Sequence, residues 1–141
     1  MKPAHGGRLK HAVLRAVARA RLDDAWVLLK AAQETKSPQR RVGSIYLAGY
    51  AVECALKARI CYETVADILR KEYFTHDLQW LLSRTTMSIR IRRQEGIWQS
   101  FVLIRSVWEP ALRYQLPSVG AEGARRFFES TKEVTTWLFS E

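Results

Sequence analysis

The segment from about Gln39 to Tyr62 restricts the fold most strongly, because its helical pattern is apolar on more than one face. Two stripes recur at helical spacing. The first consists of larger apolar residues with a glycine: Ile45, Gly49, Val52, Leu56 and Ile60. The second consists of alanines: Ala48, Ala51, Ala55 and Ala58. Small side chains let another helix approach closely, either within the fold or across a dimer. We therefore expect a central helix that is covered from several sides.

The rest of the chain is also helical in pattern, and no segment alternates convincingly with period two. A first helix starts near Leu9 with a stripe of Val13, Val17 and Ala20, and ends near Ser37-Pro38. The remaining expected elements, in chain order, are a short helix at 65–71, a helix capped by Thr75, a mobile loop at 84–93, a helix ending near Trp108, a loop at 111–123 and a last helix at 124–138. The sequence predicts an all-α domain.

Length and charge limit the organisation and the partners. A chain of 141 residues forms one domain. It contains 23 Lys and Arg against 14 Asp and Glu, a formal net charge of +9, which favours anionic partners such as nucleic acid, nucleotides or an acidic protein. The alternative is a solvated surface rich in arginine. Residues 1–21 contain six basic residues and no acid, so this stretch either contacts phosphate or forms a solvated cationic face.

Cysteine usage and missing motifs exclude several functions. Cys54 and Cys61 lie two helical turns apart, roughly 10 Å along the axis, too far for a disulfide, so we expect two core thiols in a reducing compartment. The sequence has no Walker loop, GxGxxG, HExxH or zinc-ligand spacing, so no metal and no cofactor are expected. The apolar run Ile45–Val52 is too short to span a bilayer, and residues 1–7 lack a secretory apolar region. We expect a cytoplasmic protein with no membrane partner.

Three marks, in the right order, resemble HEPN domains. The stretch 46–58, YLAGYAVECALKA, is similar to the AxE-x-LKA helix of that family, and Thr75-His76-Asp77-Leu78 followed by two leucines resembles its HDLxxLL segment. The stretch WEPALRY at 108–114 contains the third mark, the pair Arg113-Tyr114. The resemblance covers roughly residues 22–138. It divides the chain into a basic N-terminal helical extension, 1–21, and an HEPN-like bundle, 22–141.

The resemblance implies an up-and-down bundle of four to five helices that commonly forms homodimers. Proteins of this family are associated with nucleotide or RNA binding. Many are encoded beside a minimal nucleotidyltransferase, with which they form a toxin–antitoxin pair. A homodimer, a nucleotidyltransferase partner and a nucleotide or RNA ligand are therefore the expectations that follow from it.

One branch of the family cleaves RNA without metal, using an Arg-x4-6-His motif. In that chemistry His exchanges a proton with an RNA oxygen, and Arg stabilises the charge on the phosphorane. Here the matching region contains Arg105 and Arg113 but no His, and the one formal match is Arg70 with His76. In the family the His of the HDL segment looks structural. We expect a non-catalytic module, with an endoribonuclease that uses an Arg and His76 as the alternative.

Four residues are candidates for nucleotide or RNA binding: Arg113, Tyr114, Arg105 and Lys57. An Arg side chain can bind phosphate with two N–H groups, and a Tyr ring can stack on a base. The alternative for Arg113-Tyr114 is an Arg bonded to helix carbonyls with the Tyr packed beneath it. Lys57 lies four residues after Glu53, which predicts a helix-surface ion pair, while a functional carboxylate is the other interpretation of Glu53.

Overall fold

The computed structural model describes residues 10–108 and 120–140, and this part of the chain is all-α, as predicted. We number its helices α1 (His11–Thr35), α2 (Pro38–Thr64), α3 (Leu78–Ser83), α4 (Met87–Arg90), α5 (Glu95–Val107) and α6 (Ala121–Ser140). Two 3₁₀ turns, Lys71–Tyr73 and Ile91–Arg93, lie between them. The described ranges contain one isolated β-bridge, between Lys10 and Ile68.

The first two helices form an antiparallel hairpin. Lys36 ends α1 in the left-handed conformation (φ 54°), and Ser37 begins α2 by accepting a hydrogen bond from a backbone N–H of the first turn. Pro38 occupies the first turn of α2, where its missing N–H has no cost. Further along the hairpin the buried Ser44 hydroxyl donates to the Ala25 carbonyl oxygen at 2.8 Å. The two helices therefore pack closely along their length.

The core surrounds α2, which confirms the expectation of a central helix. Both of its predicted stripes are buried, and α1 and α6 pack against it. Helix α6 also buries its predicted face: Ala124, Phe127, Thr131, Val134 and Leu138. Cys54 and Cys61 are free, buried thiols, as expected. None of the described helices is long and apolar enough to cross a membrane.

The buried face of α1 differs from the predicted one. Leu14 and Ala18 are buried in its first turns, whereas Val13 and Val17 are only partly covered. The two candidate stripes are adjacent and both apolar, and the one with the smaller Ala18 lies on the core side. The boundary drawn at residues 21 and 22 falls inside α1, and residues on both sides of it contribute to the core.

Three other local predictions are wrong. The expected helix at 65–71 is absent because Val65 takes the left-handed conformation (φ 52°) and ends α2. The expected loop at 84–93 is confirmed only for residues 84–86; Met87–Arg90 forms α4 and Ile91–Arg93 a 3₁₀ turn, since Met87 and Ile91 are both buried. Asp77, not Thr75, caps α3: its carboxylate accepts from the Trp80 N–H at 3.0 Å.

Candidate functional site

Glu53 lies inside the protein, with only 2% of its side chain exposed. The prediction of a helix-surface pair with Lys57 is therefore wrong in its location, although the pair exists: Lys57 Nζ donates to Glu53 Oε2 at 2.8 Å. The i, i+4 spacing predicts that the two side chains meet but not which side of the helix they occupy. On a helix covered from several sides, this pair falls under the neighbouring segment that carries His76.

His76 is the second partner of the buried carboxylate. Its Nδ1 lies 2.8 Å from Glu53 Oε1, while 59% of its side chain is exposed. An ionised carboxylate can only accept hydrogen bonds, so Nδ1 carries the proton and donates it. The Nε2 atom has no hydrogen-bond partner in the described part of the chain. Glu53 thus fixes the orientation of an imidazole that is more than half exposed.

Trp108, at the end of α5, supports the His76 ring. Its indole Nε1 donates to the Tyr46 carbonyl oxygen at 2.9 Å, and its ring meets the imidazole edge-on, with centroids 6.5 Å apart. The indole lies directly against Gly49, where an added Cβ would come within 2.1 Å of the ring. Gly49 is therefore the residue that lets Trp108 reach α2.

The surroundings of Glu53 on α2 are apolar enough to keep two neighbouring groups neutral. Burial raises the pKa of Tyr50 to about 12, and the nearby Cys54 and Glu53 add to this effect. Burial also raises the pKa of the Cys54 thiol to about 12, with the Glu53 charge as the second cause. Neither group is ionised near pH 7, so neither is an activated nucleophile.

The other predicted residues are not brought together with His76. Arg105 donates to Gln79 Oε1 at 2.5 Å and lies over the Trp98 ring. Arg70 is exposed at the start of a 3₁₀ turn, and no contact joins it to His76. Lys57 reaches His76 only through Glu53. Arg113 and Tyr114 lie outside the described residues.

Sequence reasoning did not identify the support that Trp108 and Gly49 give to His76. It also assigned Glu53 to the surface. The neighbours of this residue on α2 are small and buried, namely Ala51, Cys54 and Ala55. Their small apolar side chains in the sequence already indicated that Glu53 would be buried. No comparable signal exists for Trp108, because its contact with His76 joins distant parts of the chain. Such contacts follow from the packing and not from local spacing.

Chemically, the site is an imidazole held by a carboxylate, an arrangement that can bind a polar ligand or exchange a proton through Nε2. No arginine within residues 10–108 and 120–140 contacts that imidazole. In the same ranges, no group of three His, Cys, Asp or Glu side chains is placed to hold a metal ion.

Comparisons with protein-family models, curated proteins and solved structures find no match to this chain. The functional assignment therefore depends on its own residues and contacts.

Proposed function

We propose that this chain is a non-catalytic module of the HEPN type that binds RNA or a nucleotide. The observation that carries the proposal is the 2.8 Å contact between Glu53 and His76. It joins the AxE helix to the HDL segment, so two of the three marks that resemble the family belong to one site. Marks that matched by chance would have no reason to meet in the fold.

The charge of the chain supports an anionic ligand. A net charge of +9 attracts polyanions over several ångströms and raises their rate of association. Binding that depends on phosphate contacts weakens as salt rises, because each counterion released from the polyanion gains less entropy when the salt concentration of the solution is higher. RNA is the polyanion that the HEPN resemblance favours.

The arrangement of cations favours binding over cleavage. Cleavage needs a positive group beside the histidine to stabilise the charge that develops on the phosphate. Lys57 is paired with Glu53, and neither Arg105 nor Arg70 makes a contact with His76. His76 then serves to hold the segment before α3 against α2.

The proposal includes a homodimer of up-and-down bundles in the cytoplasm, with a minimal nucleotidyltransferase as partner. The antiparallel α1–α2 hairpin is the topology that such a bundle requires. Two large apolar side chains of α1, Trp26 and Val27, are 45% and 63% exposed, which suits a helical contact with a second copy. Light scattering should give twice the 16.3 kDa mass of one chain.

The test is binding of a fluorescent single-stranded RNA, followed by anisotropy at 50 to 200 mM salt, with a gel to detect products. We expect salt-dependent binding and intact RNA after incubation with EDTA. The variant His76→Gln keeps a side-chain N–H that can reach Glu53, so it should remain folded and bind RNA. Absence of binding at 50 mM salt would refute the proposal.

One observation favours a second candidate, a metal-independent endoribonuclease. His76 has the orientation of a general base, with Nδ1 bonded to a buried carboxylate and Nε2 without a hydrogen-bond partner among the described residues. This candidate predicts RNA cleavage in EDTA that is lost in both His76→Gln and His76→Ala. Substitution of Arg105 or Arg70 by Gln would then identify the cation that acts with it.

A further inference from the structure

A second surface of the molecule combines tryptophan rings with four arginines, of which three are exposed and one, Arg105, is half-buried. Three elements form it: α3 with the residue that follows it, the 3₁₀ turn between α4 and α5, and α5 itself. We call it the arginine–tryptophan surface. Its members are Arg84, Arg92, Arg93, Arg105, Trp80 and Trp98. Arg84, Arg92 and Arg93 fall in the stretch predicted to be a mobile loop. From Met87 to Arg93 this stretch is instead helical, and the buried side chains of Met87 and Ile91 fix it to the core. Their positions are therefore set by the fold.

Cation–π contacts hold three of these arginines over indole rings. The guanidinium carbon of Arg92 lies 4.5 Å from the Trp98 centroid, and that of Arg105 lies 5.5 Å from the same ring. Arg84 lies 5.5 Å from the Trp80 centroid. A guanidinium that rests on a ring keeps its N–H groups at the edge of its plane, where they can bind an incoming acceptor.

The positive charges of this surface are not neutralised by carboxylates. Within residues 10–108 and 120–140, none of Arg84, Arg92, Arg93 and Arg105 forms an ion pair. Arg125 of α6, in contrast, bonds to both Glu122 and Glu129. Two guanidinium groups that share one indole repel each other unless an anion lies near them.

The groove beside Trp98 offers a further donor to such an anion, the side-chain amide of Gln79, together with Arg92 and the Trp98 ring. The hydroxyls of Ser83 and Ser88 also line it, and each donates to a backbone carbonyl oxygen. Gln79 already binds Arg105 and holds it at the edge of the groove. The surface thus presents donors for phosphate and flat groups for bases at the same place.

We infer that the arginine–tryptophan surface binds single-stranded RNA, with Arg92 and Arg105 on phosphates and the indole and guanidinium planes beside the bases. This inference rests on the proposed RNA-binding function and assigns it to a surface. An unpaired strand fits best because only its bases are free to stack on aromatic or guanidinium planes. An acidic protein or an anionic membrane would bind the positive charges of the arginines but would not need tryptophan rings beside them.

The test compares two variants that lose the same charge. Arg92→Gln with Arg105→Gln removes two proposed phosphate contacts, whereas Arg126→Gln with Lys36→Gln removes two exposed cations from α6 and from the α1–α2 connection. Circular dichroism and thermal unfolding confirm that each variant is folded. Anisotropy with a fluorescent single-stranded RNA then gives the dissociation constant of each protein from 50 to 200 mM salt.

With one phosphate at each of the four arginines of this surface, the logarithm of the association constant should fall with log salt at a slope of about −3, a loss of about 50-fold over this range. The Arg92/Arg105 variant should bind more weakly at every salt concentration, with a slope of about −1.4 and a loss of about 7-fold. The Arg126/Lys36 variant should keep the wild-type slope. The double variant Arg92→Lys with Arg105→Lys should restore most of the slope but not the full affinity, because a lysine ammonium group does not stack on a base.

The outcomes separate this inference from the function on which it rests. If the wild type binds RNA and the two double variants lose the same affinity, this surface is not the site, and the proposed function stands. If the wild type does not bind RNA at 50 mM salt, both fail. Preference for a duplex over a single strand, or binding to anionic vesicles without binding to RNA, would also overturn the inference.

Discussion

Replacing Gly49 with alanine tests the support of His76 directly. A Cβ at this position would lie 2.1 Å from Cδ1 of Trp108 and 2.3 Å from two other ring atoms. The indole is rigid, and it is buried with only 6% of the residue exposed, so it must move as a whole. Its movement would break the hydrogen bond to the Tyr46 carbonyl and remove the edge contact with His76.

The expected magnitude follows from three contributions. Alanine favours a helix interior over glycine by about 1 kcal/mol. Overpacking costs about 1–3 kcal/mol, and the lost hydrogen bond of the indole costs about 1 kcal/mol. The net effect is a loss of about 2 kcal/mol in the free energy of unfolding, or roughly 8 °C in Tm for a chain of this length.

Gly43→Ala provides the matched control in the same helix. A Cβ there meets only Leu28 Cδ1 at 3.1 Å, the end of a flexible side chain. This variant should be as stable as the wild type or more stable by up to about 1 kcal/mol. Urea unfolding followed by circular dichroism measures both. Equal stability of the Gly49 and Gly43 variants would refute the proposed contact between Trp108 and α2.

Three further predictions concern the charged and thiol groups. Glu53→Ala should lower the free energy of unfolding, measured in urea, by about 3 kcal/mol, because it leaves Lys57 without its buried partner. Glu53→Gln should lower it less. A change below about 0.5 kcal/mol for Glu53→Ala would contradict this. Burial alone would raise the pKa of Glu63, but hydrogen bonds from Arg59 and Thr86 lower it below its ordinary value of 4.5. The stabilisation from Glu63 is therefore present above pH 4.5 and lost as the pH falls through the lowered pKa. Glu63→Gln should make the free energy of unfolding less sensitive to acid. An unchanged dependence of stability on acid pH in this variant would count against the prediction. Cys54, whose pKa is raised to about 12, should react with a thiol reagent at pH 8 only after unfolding in urea, and rapid labelling of the native protein would oppose its burial.

Local periodicity was sufficient to predict the long helices. The double stripe of α2 has enough apolar residues to require cover on several sides, and its members are buried. Prediction was weaker for short segments, where one backbone conformation decides the outcome. Val65 in the left-handed region ends α2 and removes the expected helix at 65–71, although valine rarely adopts that conformation.

Only some members of the candidate site, and not their arrangement, could be predicted from the sequence. His76 was identified from its segment, and Lys57 from its spacing to Glu53. The burial of Glu53 depends on which segment covers α2, and the position of Trp108 depends on the absence of a side chain at Gly49. Both depend on tertiary packing. Arg84, Arg92 and Arg93 were expected on a loop, and only the burial of Met87 and Ile91 makes them part of a fixed surface.

The protonation of the His76 ring nitrogens is the most direct measure of the central claim, that buried Glu53 orients an exposed imidazole. Nitrogen-15 spectra of the histidine ring, recorded across a pH titration, distinguish the two atoms. We predict that the neutral ring carries its proton on Nδ1, facing Glu53 Oε1, and that Glu53→Gln weakens this preference. A wild-type ring with its neutral-form proton on Nε2 would contradict the claim.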